Sequence, residues 1–344
     1  MRLLIITQKV DKDDPILGFF HGWICAFAKK FKSIVVVCLE KNRFQLPDNV
    51  TVLSLGKERW RSKAKYIFLL FYFSLRYANR YDAVFVHMNE EYVVLAGWLW
   101  RIMGKRVYMW RNHYSSNRMT DIASIFCNKM FCTSAHSYIA KYKKTVLMPV
   151  GIDTNIFKIY SQISRSASSI LYLGRIAPSK NIDILVEALI LLKKDNIVFT
   201  ADIYGNSSVD DLNYLEGLKE RVKASKSNGC IFFHDAVSNM NTPSIYNSHE
   251  VFVNLSPDGM YDKTIFESML CGCLVIASSD DLKKHIDNKF ILSSRDINEI
   301  SRKIVNVLSM DVAYKRANVL NNIKFAETQN LSRLSERLSD EITL

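Results

Sequence analysis

The fold is read from Val251-Phe252-Val253-Asn254-Leu255-Ser256-Pro257-Asp258-Gly259-Met260-Tyr261-Asp262-Lys263-Thr264-Ile265-Phe266-Glu267-Ser268-Met269-Leu270-Cys271-Gly272. An apolar, β-branched run of strand length ends in a Pro/Gly loop, and a helical pattern follows with Glu267 near its start. A carboxylate so placed can accept two hydroxyl hydrogens at once, as a ribose diol requires. The loop N–H groups and Lys263 can face phosphate or sugar oxygens. Plainer readings stand beside these: Glu267 suits a helix N-terminus, and Asp262-Lys263 suits a surface ion pair.

Upstream, Leu173-Gly174-Arg175-Ile176-Ala177-Pro178-Ser179-Lys180-Asn181 repeats the design of strand end, tight loop and helix start. Gly174 allows a close turn, and Arg175 and Lys180 bring two cations to one loop mouth, where helix N-terminal N–H groups already favour anions. The segment reads as a diphosphate site or as two solvated charges in an ordinary connection.

The same alternation runs along the whole chain. Strands are expected at Leu3–Thr7, Ile34–Cys38, Val50–Leu53, Ala83–His87, Val107–Trp110, Met130–Thr133 and Val146–Met148, with helical segments such as Phe19–Phe31, Arg59–Asn79 and Tyr92–Met103 between them. The polar stretch Tyr160 to Ser169 reads as a linker. The pattern then restarts with strands at Ile170–Leu173, Val198–Tyr204, Ile231–Phe233, Val251–Leu255 and Leu274–Ala277. Strand–helix alternation argues for parallel, doubly wound sheets, and two such domains are expected from 344 residues. The expected boundaries are residues 1–158 and 159–321, with one amphipathic helix over about 322–344 packing back on the first domain. Ligands of such sheets sit at the C-terminal strand ends.

The net charge of +12 is unevenly spread. Residues 1–150 carry 24 Lys and Arg against 10 Asp and Glu, a net of +14; residues 151–344 carry 22 against 24, a net of −2. A basic half beside a neutral one suits an anionic surface or substrate. Hydrophobic residues at 49% exclude a disordered or fibrous class. Seven cysteines, mostly within apolar runs, fit buried free thiols and a reducing cytoplasm. No secretory signal opens the chain, and its longest apolar run, Tyr66 to Leu75, is about half of the ~20 residues a membrane span needs. A cytoplasmic protein, in peripheral contact with the inner face of the cell membrane at most, is the expected location.

Four segments in order resemble glycosyltransferase family 4, the group 1 glycosyltransferases of GT-B fold. Pro149-Val150-Gly151-Ile152-Asp153-Thr154-Asn155-Ile156-Phe157 resembles the interdomain signature, and Gly174-Arg175 with Lys180-Asn181 resembles the diphosphate motif. Ile203-Tyr204-Gly205 resembles the next strand ending in glycine. Glu267-Ser268-Met269-Leu270-Cys271-Gly272 resembles the helix that carries the ribose-binding glutamate.

The resemblance implies two Rossmann-like domains facing across a cleft, an N-terminal acceptor domain and a C-terminal donor domain. It implies a retaining, metal-independent hexosyltransferase that uses a UDP- or GDP-sugar as co-substrate and needs no other cofactor. Arg175 and Lys180 then bind the diphosphate and Glu267 the ribose. Gly174, Gly205, Ala236 and Val237, with the loop residues Asp258, Gly259, Asp262, Lys263 and Thr264, complete the donor site. The family's Glu-x7-Glu pattern departs here, because Gly259 stands where the first glutamate would be. That departure bears on the sugar more than on the nucleotide.

In the first half, Lys105-Arg106-Val107-Tyr108-Met109-Trp110-Arg111-Asn112-His113 runs from a strand into a polar loop, and His113 resembles in position the family histidine near the reacting sugar. It is the leading catalytic candidate there, with His87 second and His21 third. Asp11-Lys12-Asp13-Asp14 reads as a polar loop before Pro15; Asp13 and Asp14 are acceptor-side candidates, and no metal site is expected. Lys57-Glu58-Arg59-Trp60-Arg61-Ser62-Lys63-Ala64-Lys65 leads into Tyr66-Ile67-Phe68-Leu69-Leu70-Phe71-Tyr72-Phe73, which reads either as an interfacial helix against anionic membrane or as a buried helix with a charged first turn. The expected function is sugar transfer to a glycan or lipid-linked acceptor of cell-surface polysaccharide, lipopolysaccharide or glycolipid synthesis. A DNA-modifying glucosyltransferase and a non-catalytic nucleotide-sugar-binding subunit are the alternatives; no nucleic-acid motif accompanies the first.

Overall fold

A computed structural model describes residues 1–115, 118–259 and 261–343. Two compact units divide the chain: Met1–Gly151 with Leu331–Leu344, and Ile152–Asn330. The first contains β1 (Arg2–Val10), α1 (Phe19–Ala28), β2 (Ser33–Lys41), β3 (Val50–Ser54), α2 (Lys63–Arg76), β4 (Ala83–His87), α3 (Glu91–Ile102), β5 (Arg106–Trp110), α4 (Arg118–Phe126), β6 (Lys129–Cys132) and β7 (Thr145–Leu147). The second contains β8 (Ser166–Leu173), α5 (Ile182–Lys194), β9 (Thr200–Tyr204), α6 (Leu212–Ala224), β10 (Ile231–His234), α7 (Thr242–Ser248), β11 (His249–Asn254), α8 (Lys263–Leu270), β12 (Leu274–Ala277), α9 (Ile297–Leu308) and α10 (Val312–Glu327). The chain then returns to the first unit as α11 (Leu331–Thr343).

The first sheet has the order β3-β2-β1-β4-β5-β6-β7, and its strands pair in parallel. Both faces of its central strands are buried, which is why they read as continuous apolar runs rather than alternating ones. Leu3 and Ile5 of β1 point into one layer with α1 and α11, while Leu4 and Ile6 point into the other with α2, α3 and α4. The second sheet has the parallel order β10-β9-β8-β11-β12. Strand order reverses at β8, whose neighbours are β9 and β11, and such a reversal opens a crevice at the C-terminal strand ends.

The junctions differ from the expected ones. The first unit ends at Gly151 rather than 158 because Gly151 is packed into it: Trp23 Nε1 donates to its carbonyl at 2.9 Å. Gly151 has φ +77, and a Cβ there would lie 2.3 Å from Leu334 and 3.0 Å from Trp23. The stretch expected to be a linker instead packs within the second unit. Tyr160 N–H donates to Asn247 Oδ1 at 2.8 Å, Arg165 donates to the Cys271 carbonyl at 2.7 Å, and β8 begins at Ser166. The single C-terminal helix expected from about 322 is two: α10 ends at Glu327 in the second unit, and α11 starts at Leu331 in the first. The short helices α4 and α7 had no strong periodic signal, and α2 begins at Lys63 rather than Arg59. Among the described residues, no helix is long and apolar enough to cross a membrane.

Candidate functional site

The loops after β8 and β11 meet at the strand-order reversal of the second unit. Asn181 donates to the Leu255 carbonyl at 2.8 Å, and Lys180 Nζ reaches Asp262 Oδ2 at 2.7 Å and Ser256 Oγ at 3.0 Å. Asp262 Oδ2 also accepts from Asn254 Nδ2 at 3.1 Å and from Ser256 Oγ. Burial works against ionisation of Asp262, but Lys180, Ser256 and Asn254 outweigh it and hold the carboxyl below its usual range. The sequence reading of Asp262-Lys263 as an ion pair is therefore replaced: the partner of Asp262 is Lys180, brought from another loop by the fold.

Gly174 and Gly205 close the floor of this site. Gly174 N–H donates to the Tyr204 carbonyl at 3.1 Å, and Gly205 N–H to the His234 carbonyl at 3.0 Å. A Cβ on Gly205 would lie 1.9 Å from the Gly174 carbonyl oxygen, so close approach of the two loops demands glycine. Arg175 lies at the loop mouth, exposed, and among the described residues no hydrogen bond or ion pair engages its guanidinium. Ala236 N–H donates to Asn206 Oδ1 at 3.0 Å, while Val237 beside it is half-buried. The Tyr204 and His234 rings stack at 4.3 Å under the same strand ends.

Glu267 is the fifth residue of α8 and is buried at 3% exposure, so it is not a first-turn helix charge. Asn239 Nδ2 donates to Oε1 at 3.3 Å, and Tyr246 Oη donates to Oε2 at 3.1 Å. Burial lifts the Glu267 carboxyl above its ordinary range, opposed by Lys263 one turn earlier and by those two donors. Burial likewise pulls the Lys263 ammonium down, opposed by Glu267. In the loop before α8, Asp258 Oδ1 accepts from Asp280 N–H at 2.6 Å, and Gly259 has φ +79. Thr264 Oγ1 is 3.5 Å from Asn254 Nδ2. Asn239 and Tyr246 escaped the sequence reading because they lie 28 and 21 residues from Glu267, with no spacing signal to join them.

The first unit places its candidates separately. His113 is half-buried after β5, its ring stacked on Tyr114 at 4.7 Å. Its Nδ1 lies 3.0 Å from Ser115 N–H and 2.8 Å from Ser115 Oγ. A backbone N–H only donates, so Nδ1 accepts and the neutral ring carries its proton on Nε2. The same loop start holds a buried pair the sequence did not reveal: Arg111 Nε donates to Glu90 Oε2 at 3.2 Å, and Thr120 to Glu90 Oε1 at 3.1 Å.

His87 does not face an open surface. It is 2% exposed, stacked on Phe20 at 3.9 Å, with Nδ1 3.3 Å from Thr7 Oγ1. His21 Nε2 accepts from Gln45 N–H at 3.1 Å. Asp14 organises its own loop, accepting from Ile16 and Leu17 N–H and from Lys9, while Asp13 pairs with Arg43 at 3.2 Å. Among the described residues, no group of three or more His, Cys, Asp or Glu could hold a metal ion.

These two parallel-sheet α/β units make a GT-B fold. Anabaena HepE, solved in complex with UDP and glucose, superposes with a TM-score of 0.79 at 15% identity, over 100% of this chain and 99% of that one. Sucrose-phosphate synthase from Thermosynechococcus elongatus gives 0.78 at 15% identity over 99% and 98%. An α,α-trehalose-phosphate synthase (UDP-forming) from Burkholderia xenovorans gives 0.75 at 10% over the full length of both. No curated protein matches the chain by sequence. Residues 167–310, which hold the site built by β8, β11 and α8, match the family Glycosyl transferases group 1.

Proposed function

We propose that the protein is a retaining, metal-independent glycosyltransferase of family 4 that moves a sugar from a UDP- or GDP-sugar to a glycan or lipid-linked acceptor of cell-surface polysaccharide, lipopolysaccharide or glycolipid synthesis. In this reading the second unit takes the donor and the first the acceptor, on the cytoplasmic side of the membrane. The observation that carries it is that one unit, at its strand-order reversal, holds both a cation fixed by Asp262, Lys180, and a buried acidic side chain, Glu267. HepE, which shares the fold, was solved with UDP-glucose.

Arg175 and Lys180 meet the diphosphate, with the Gly174 and Gly205 turns allowing its close approach. Glu267 accepts from the ribose hydroxyls, and Ala236 and Val237 flank the base. Asp258, Gly259, Lys263 and Thr264 border the sugar. Asp262 fixes Lys180, which leaves that lysine oriented before any ligand arrives. The bond from sugar C1 to the diphosphate oxygen breaks as the acceptor oxygen bonds C1 on the same face. The acceptor proton passes to a donor phosphate oxygen. The Nε2–H of His113 donates to the reacting sugar, and Arg175 and Lys180 stabilise the charge that develops on the leaving diphosphate.

A calorimetric panel of UDP- and GDP-sugars tests this reading, since specific binding stabilises the native fold. One nucleotide sugar should bind and be consumed in an acceptor-dependent reaction that EDTA leaves unchanged. Absence of binding across the panel would overturn it.

A further inference from the structure

The helical layer formed by α2, α3 and α4 on one face of the first sheet leaves large apolar side chains exposed on its outer side. Of the fourteen residues of α2 only Leu70 and Ser74 are fully buried. Opposite them, at the one-face spacing i, i+4, i+7, stand Phe68, Tyr72 and Leu75, and Phe68 is 68% exposed. The layer continues the surface: Trp98 and Ile102 of α3 and Ile125 of α4 are exposed, the two isoleucines at 76% and 74%. The Phe71 and Trp98 rings touch at 6.2 Å, and a Cβ on Gly97 of α3 would lie 2.8 Å from Phe126 of α4, so the three helices form one continuous face.

The charge along α2 and at its head is mainly basic, although Arg59 lies 3.9 Å from Glu58. From Arg59 to Tyr81 the sequence holds six Lys and Arg and no Asp or Glu. Arg59, Arg61, Lys63 and Lys65 are exposed at the head of α2, and Lys65 Nζ sits over the Trp60 ring at 4.9 Å. Aromatic rings with polar tips, exposed aliphatics and a predominantly basic head of α2 match the boundary between anionic headgroups and acyl chains. An acidic protein surface would match the basic head but not the width of the apolar face. A burying protein interface would be expected to deplete lysine rather than gather it.

We infer that the outer face of α2, α3 and α4 docks the protein on an anionic lipid bilayer, with Phe68, Tyr72, Leu75 and Trp98 entering the interface and the 59–65 cations meeting headgroups. The inference rests on the lipid-linked acceptor reading for its purpose, because it brings the acceptor unit to the bilayer where such an acceptor is held. Its evidence is confined to first-unit residues outside the proposed donor site.

The test is flotation of the intact protein with vesicles of phosphatidylcholine alone and of phosphatidylcholine mixed with phosphatidylglycerol, alongside calorimetry with the nucleotide sugar. Binding should be confined to the mixed vesicles. Lys63→Ala with Lys65→Ala should weaken it about 25-fold, at about 5-fold per headgroup cation, and Phe68→Ser with Leu75→Ser should weaken it at least about 10-fold. Both double variants change exposed positions and should keep wild-type nucleotide affinity, which separates this outcome from failure of the donor site. Equal binding to both vesicle types, or wild-type flotation by both variants, would overturn the inference. So would a self-associated protein in sedimentation that the Phe68/Leu75 variant dissociates, since the face would then be a protein interface.

Discussion

Glu267→Ala is the most searching perturbation of the proposed donor site. Each carboxylate oxygen offers about two lone-pair sites, and the structure shows one on each taken: Asn239 on Oε1 and Tyr246 on Oε2. Two acceptor sites remain, which matches the two hydroxyls of a ribose. A hydrogen bond to an ionised acceptor contributes about 1.5–3 kcal/mol net, so two would contribute about 3–6 kcal/mol. Water entering the truncated site recovers part of this, and a loss of about 2–4 kcal/mol in nucleoside diphosphate binding is expected, roughly 30- to 1000-fold in Kd.

Titration calorimetry with the nucleoside diphosphate and its 2′-deoxy form reads the effect. The deoxy ligand should bind the wild type more weakly, and Glu267→Ala should lose that discrimination, because the variant has no acceptor to miss the hydroxyl. The affinity should also fall on acidification at a higher pH than an ordinary glutamate would give, since burial raises the Glu267 carboxyl and the protonated acid accepts less well. An unchanged Kd in a folded Glu267→Ala protein, or a wild type indifferent to the 2′-hydroxyl, would remove Glu267 from ribose binding.

Arg175→Ala and Lys180→Ala should each lower turnover by about two orders of magnitude, corresponding to about 3 kcal/mol of transition-state stabilisation; steady-state kinetics near wild type in both would exclude them from leaving-group stabilisation. Asp262→Asn should flatten the acid limb of stability. The wild-type carboxyl has a folded pKa below its unfolded one, so its contribution is present above the unfolded value and lost as pH falls through the folded value; urea melts of both proteins across that range measure the difference. Gly205→Ala should cost about 1–3 kcal/mol, because its Cβ meets the Gly174 carbonyl. The thermal midpoint should then drop by about 2–12 °C, with the nucleotide bound more weakly; a variant that melts as the wild type would show that the two loops can part without cost.

Much of the fold was legible because both sheets are buried on both faces. A strand such as Ile34–Cys38 must then be apolar throughout, and a run of that kind between helical segments needs no tertiary information to be recognised. The short helices α4 and α7 were not legible, since nine and seven residues give too few turns for a periodic stripe. The chain's return at Leu331 was hidden for another reason. α10 and α11 are separated by only a few residues, and local helical pattern carries no record of which core each helix joins.

The sequence by itself determined the parallel α/β class and offered candidate residue types for a nucleotide diphosphate at the strand ends: Arg175, Lys180 and Glu267. The tertiary structure decided the partners. It joined Lys180 to Asp262 across 82 residues and placed Tyr246 and Asn239 on Glu267. It enclosed His87 among aromatic rings and left Phe68, Tyr72 and Leu75 uncovered. Backbone pattern is set by local sterics and hydrophobic period, which a linear chain displays. Charge pairing, burial and exposure depend on which distant segments the fold brings within a few ångströms, and only the packed chain contains that distance.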